Sequence, residues 1–142
     1  MLGLLFLVVT ATPAAGAWPP WETVAQGASA QMPSEKAFVA GSLRATTPFA
    51  IALTEDDRAR LRAVDFRTRA VVAVFRGFTS TGYTLEIRSM RRRKATLKVW
   101  VAVRAPTGPV NPVVVAGYHV VSVPRRVLGT PLPRRVVVKD AT

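Results

Sequence analysis

From residue 84 onward, apolar and polar positions alternate. Leu85 and Ile87 alternate with Thr84, Glu86 and Arg88, and Leu97, Val99, Val101 and Val103 alternate with Lys98, Trp100, Ala102 and Arg104. A period of two marks strands with one buried face. Folding the two segments into a hairpin about Met90 to Lys94 sets Leu85 opposite Val99 and Ile87 opposite Leu97. The same register sets Glu86 opposite Lys98 on the other face, a complementary cross-strand pair. A slip of one residue would turn the apolar set toward water, so this register is the predicted one. Val113 to Val123 is nearly continuous apolar sequence, the pattern of a central strand, and Gly117 within it marks a bulge or a close backbone approach. Pro124 ends that strand.

The first half is less regular. Strands are predicted around Glu22 to Ala25 and Lys36 to Val39. Thr46-Thr47-Pro48 reads as a break, with a short apolar strand from Phe49 to Leu53. Thr54-Glu55-Asp56-Asp57 reads as a helix start, because Thr54 can cap the free amides and the acids sit at the positive end of the helix dipole. With Arg58, Arg60 and Arg62 following, a helix of two to three turns is predicted to end before Asp65. It must pack on a sheet through Leu61 and Ala59 or Val64. Ala105 to Pro109 is a turn that Asn111-Pro112 extends. Gly129, Pro131 and Pro133 mark a linker before a last edge strand from Arg135 to Lys139. These elements predict a mainly β, single-domain sandwich or partly open barrel with one short helix.

A chain of 142 residues suits one domain with an ordinary core. Residues 2–9 are apolar but too few to cross a bilayer, and Ala15-Gly16-Ala17 gives the small-x-small pattern of a leader cleavage site before Trp18. The first basic residue is Lys36, so either the start lies upstream or the amino terminus alone supplies the charge. A buried N-terminal strand is the alternative reading. On the export reading, residues 1–17 are a signal peptide and the mature chain is secreted or periplasmic, with no transmembrane span. The absence of cysteine excludes disulfides, thiolate ligands and a cysteine nucleophile.

Candidate chemistry is sparse. His119 is the single histidine, and Ser122, three residues on, falls on the opposite face of a strand. A Ser-His-Asp arrangement is therefore not expected, and His119 reads as a half-buried residue bonding a backbone carbonyl. One histidine with scattered acids does not supply a zinc or calcium site, and no glycine-rich phosphate loop is present. No enzyme activity, metal or cofactor is expected. A formal charge of +12 instead points to anionic partners. Its densest cluster, Arg91-Arg92-Arg93-Lys94, is predicted to be an exposed loop, either a solvated turn with no partner or a candidate polyanion site. An anionic wall polymer or lipid surface is favoured over nucleic acid, because only Trp100 supplies an aromatic nearby. Trp100, on the polar face of its strand, is an interface anchor if its ring is uncovered. Ser80-Thr81-Gly82-Tyr83 is the best local candidate for recognition, a turn able to present backbone donors and a ring at a loop tip, with a plain hairpin turn whose Tyr83 packs inward as the alternative.

A further resemblance rests on order. Asp65-Phe66, the apolar run Ala70 to Phe75 ending in Arg76-Gly77, Ser80-Thr81-Gly82-Tyr83, and Tyr118-His119-Val120-Val121 follow one another within Asp65 to Pro124. This succession resembles the C-terminal domain of the protease-complex subunit PrcB family, with the single Gly82 where that family has two glycines. The resemblance implies a secreted, non-enzymatic accessory that binds or stabilises an exported protease or another envelope protein. It divides the chain into an arm at 18–62, the similar β domain at 63–124, and a linker with a last strand at 125–142. The Ser80 to Tyr83 loop also resembles the Thr-Gly-Tyr loop of chagasin-like protease inhibitors, which implies inhibition as an alternative.

Overall fold

Two kinds of strand arise from the two hydrophobic patterns. A computed structural model describes residues 20–32 and 35–141, so the expected leader and Trp18 lie outside the described residues. The strands are β1 (Glu22–Ser29), β2 (Lys36–Ala40), β3 (Arg69–Phe78), β4 (Thr84–Arg93), β5 (Thr96–Arg104), β6 (Val115–Pro124) and β7 (Arg135–Asp140). They form a sandwich. One antiparallel sheet is ordered β1-β6-β3-β2, and the other is ordered β4-β5-β7 with β7 parallel to β5. The N-terminal strands thus belong to the same sheet as β3 and β6.

Every residue of β6 is buried, as are Ala70 to Phe75 of β3, because layers cover both faces of the first sheet. Val72, Val74, Val121 and Val123 meet Leu85, Ile87, Leu97, Val99 and Val101 between the sheets. Val71, Ala73, Phe75, Tyr118 and Val120 pack on the other side under Phe49, Leu53 and Leu61 of the helical segment. Each such side chain contributes about 1.5–3 kcal/mol by leaving water. Gly117 is a close approach rather than a bulge, since a Cβ there would lie 2.5 Å from Cε2 of Phe78.

The helical layer holds both a success and a correction. Helix α2 (Glu55–Arg62) begins as predicted, with the Thr54 hydroxyl accepting from the Asp57 amide at 3.2 Å, and it buries Leu61. The segment predicted as a strand, Phe49 to Leu53, is not one. It follows a 3-10 turn at Arg44–Thr46 and contains the end of helix α1 (Thr47–Ala50) and a further turn. The Thr46-Thr47-Pro48 break is therefore a helix entry, with Pro48 in the first turn, where no amide donor is needed. Phe49, Ala52 and Leu53 are buried while Ile51 is 64% exposed, which is the spacing of a helical turn.

The β4–β5 hairpin forms, but not in the predicted register. Leu85 lies opposite Val103, Ile87 opposite Val101, and Glu86 opposite Ala102. The turn is only Lys94-Ala95, with Lys94 at φ 54°, so four of the five residues read as loop, Met90 to Arg93, belong to β4. A bulge at Arg88, between Ile87 and Ser89, absorbs the parity change. The expected linker after Pro124 includes helix α3 (Arg125–Leu128), whose Leu128 enters the inter-sheet core.

Candidate functional site

The Arg88 bulge decides what the outer face of the second sheet presents. Without it, the inward phase of Leu85 and Ile87 would continue through Ser89, Arg91 and Arg93. With it, Met90 turns inward and is buried, and Arg91 and Arg93 turn outward. On the outer face Arg91 then lies opposite Lys98, Arg93 opposite Thr96, and Ser89 opposite Trp100. Strand β7 extends the face from the other side, pairing Arg135 with Thr96, Val137 with Lys98, and Lys139 with Trp100. The two acids at the margin are already engaged, Glu86 with Arg88 and Asp140 with Arg76.

Arg91, Arg93, Lys98, Arg135 and Lys139 make no ion pair or side-chain hydrogen bond to any described residue. Such a set repels itself until an anion arrives. A recess of about 370 Å³ lies among Arg91, Arg92, Arg93 and Lys98, with half-buried Trp100 in its wall. Trp100 is covered neither fully nor by the N-terminal strands, which lie in the other sheet.

The cluster predicted as a loop is therefore redistributed. Arg91 and Arg93 are strand residues on the open face, and Lys94 is at the turn. Arg92 is not a free cation. Its guanidinium donates to the carbonyls of Lys94 at 2.6 Å, Leu128 at 2.7 Å and Pro131, clamping the segment after α3 to the hairpin. Arg135 and Lys139 were not expected in the site. Three consecutive valines at 136–138 hide the alternation of β7, and its parallel pairing with β5 has no local signal. The bulge did leave one: Met90 is apolar but out of phase with Leu85 and Ile87.

The Ser80 to Tyr83 loop is at the other end of β4, about 30 Å away along the strand, so the two candidates do not form one site. Its polar groups are engaged at home. Thr81 donates its amide to the Asn111 carbonyl and accepts the Asn111 amide on its hydroxyl, both at 3.0 Å. Ser80 bonds the Thr81 carbonyl at 3.3 Å. Gly82 has φ 92°, a Cβ there would lie 2.7 Å from Cβ of Pro106, and Tyr83 stacks on Phe78 at 4.7 Å. The turn-and-stack arrangement holds the loop rather than displaying it. Val113 and Val114 beside it are 48% and 62% exposed.

His119 is 3% exposed and joins the two sheets. Its Nδ1 accepts the Ile87 amide of β4 at 2.9 Å, so the ring proton is on Nε2, which donates to the Thr23 hydroxyl at 2.8 Å. The expected partner, a backbone carbonyl, is thus replaced by an amide, and burial is complete because β4 lies directly over it. Burial brings the imidazole down to about 4, against a smaller opposing pull from Glu86. Ser122 faces the helical layer and accepts from Nε of Arg69 at 3.0 Å, so serine and histidine do not meet. Among the described residues no three His, Asp or Glu side chains gather as metal ligands, and no helix is long and apolar enough to cross a membrane. No family model, curated protein or solved structure matches this chain.

Proposed function

We propose that this protein is a non-enzymatic binding protein of the cell envelope that holds a polyanion on the open face of its second sheet. The observation that carries the reading is the set of five cations around Trp100 that pair with no described residue, with the marginal acids already engaged. Cations on a sheet are set by the backbone ladder, so they meet an extended anion without first ordering a loop. The apolar run at 2–9 and the Ala15-Gly16-Ala17 pattern support the envelope location.

Retention of the full chain on immobilised polyphosphate tests this directly. Arg91→Gln with Arg93→Gln elutes at clearly lower salt, whereas Arg44→Gln with Arg67→Gln, the same charge change in the helical layer and its following turn, shifts elution less. Equal shifts for the two pairs would reduce the effect to net charge and end the reading.

The exposed valines beside the Ser80 to Tyr83 loop favour a second reading, a protein partner at that end. Its occupant is the exported protease that the PrcB resemblance implies. Stabilisation or inhibition of a secreted protease on titration supports it, and Val114→Asp abolishes the effect. An indifferent protease removes it.

A further inference from the structure

We propose that the basic face of the second sheet is a single-stranded nucleic-acid site, in which Trp100 stacks a base and Arg91, Arg93 and Lys98 hold the adjoining phosphates. This rests on the polyanion reading and narrows it to one ligand class.

A lone aromatic counted against nucleic acid in the sequence, and the recess, which sets that ring among the cations, reverses the expectation. Its volume of about 370 Å³ is at the lower end of the range for small-ligand sites, about 300–1,000 Å³. The indole of Trp100 shares its lining with four basic residues, of which Arg92 is bonded to carbonyls while Arg91, Arg93 and Lys98 pair with no described residue. A wall polymer or polyphosphate has charge for the cations but no flat π surface for the ring. A duplex has bases but keeps them stacked inside, away from a sheet surface. An anionic bilayer requires apolar groups standing proud, to enter below the headgroups. Trp100 is half-buried within the recess, and among the described residues the only exposed large apolar side chain on this face is Val137, 41% exposed. An unpaired strand alone presents phosphates and free base faces together, and base-on-aromatic stacking tolerates any sequence.

The cation lattice fits the same ligand. Outward residues two apart on a strand are about 6.8 Å apart, and neighbouring strands about 4.8 Å. Arg91 and Arg93 on β4, Lys98 on β5, and Arg135 and Lys139 on β7 therefore form a grid over the three strands, able to follow a backbone across the sheet. Arg135 and Lys139 extend the track past the recess.

The test is titration of the full chain with a decathymidylate, with inorganic polyphosphate and with vesicles rich in anionic lipid, each at about 0.05 M and 0.3 M salt. Oligonucleotide binding at low salt, with quenching of tryptophan emission, is expected. Trp100→Leu weakens oligonucleotide binding at least about fivefold, Trp100→Phe restores most of it, and neither alters polyphosphate binding. Arg135→Gln with Lys139→Gln lowers the slope of log affinity against log salt by about 1.4, independently of whether the leucine variant folds. If Trp100→Leu folds and leaves oligonucleotide binding unchanged, or weakens oligonucleotide and polyphosphate alike, the nucleic-acid proposal fails and the polyanion reading stands. Tighter binding to vesicles than to the oligonucleotide has the same meaning. No binding to any of the three at low salt overturns both.

Discussion

The two sheets use their outer faces differently. The first is closed on both sides: the second sheet covers one face of β3 and β6, and Phe49, Leu53 and Leu61 cover the other. Among the described residues the second sheet is covered on one side only, and Lys98, Trp100, Arg91 and Arg93 occupy the other. The hydrophobic pattern follows coverage. Where both faces are covered the strand is apolar throughout, and where one is open the chain alternates. The comparison also separates roles, since the closed sheet supplies rigidity and the open one supplies a surface.

If that separation holds, substitutions should have unequal effects on the two sheets. Phe75→Ala empties a site ringed by Phe38, Phe49 and Tyr118 at 5.6–6.2 Å. It should cost about 3–5 kcal/mol in urea unfolding, while Trp100→Phe on the open face costs less than about 1 kcal/mol. Similar losses would break the comparison.

The seam between the sheets is next. His119 is neutral in the fold down to about 4 but takes a proton near 6.5 when exposed. The unfolded chain therefore binds more protons in that window, so stability falls as pH drops from 6.5 toward 4, by up to about 3 kcal/mol. His119→Gln should flatten this part of the pH–stability curve, and an unchanged slope would mean that the sheets are not joined through the imidazole.

On the closed side, Tyr118 donates to Oδ2 of Asp57 at 2.9 Å, tying α2 to β6. Burial, reinforced by the bond to Asp57 and its charge, pushes the phenol up to about 12. Tyr118→Phe should cost about 1–3 kcal/mol by leaving a buried acceptor unpaired. It should also remove the loss of stability between pH 10 and 12 that the raised phenol produces, because the unfolded tyrosine gives up its proton first. Thermal melting across that range checks both.

The smallest effect is expected on the open side. Lys94→Gly relieves the positive φ at the hairpin turn and should raise stability by about 1 kcal/mol. Polyanion affinity should fall only slightly, because Lys94 is off the strand grid. A large loss of affinity would sharpen the comparison by extending the site onto the turn.

Local patterns explain which parts of the sequence could be read. The Thr54 cap, the acids after it and the buried Leu61 are all set within one helix, and α2 appeared where they placed it. Phe49 to Leu53 was misread because a short apolar run fits a strand or a helical turn, and only packing beneath β3 selects the turn. The basic cluster was visible as charge, but its geometry was not. A bulge of one residue, invisible to a strict period of two, exchanged Ser89 for Met90 in the core and turned two arginines to the surface. Arg92 looked like its neighbours and became a clamp, because its partners Leu128 and Pro131 are far along the chain.

The sequence by itself determined a mainly β fold, the central place of β6, the capped helix and a strongly basic surface, and left sandwich and partly open barrel as alternatives. Each of these depends on composition or on side chains within one or two turns of each other, where periodicity and capping act. Tertiary structure alone decided the hairpin register, the meeting of β7 with β5, the bridge from His119 to Ile87 and the gathering of Arg135 and Lys139 beside Trp100. The hairpin register turns on the bulge at Arg88 between adjacent strands, and the others on contacts between segments distant in sequence; in each, the free energy of burying a whole face selects one arrangement among several that local sequence permits.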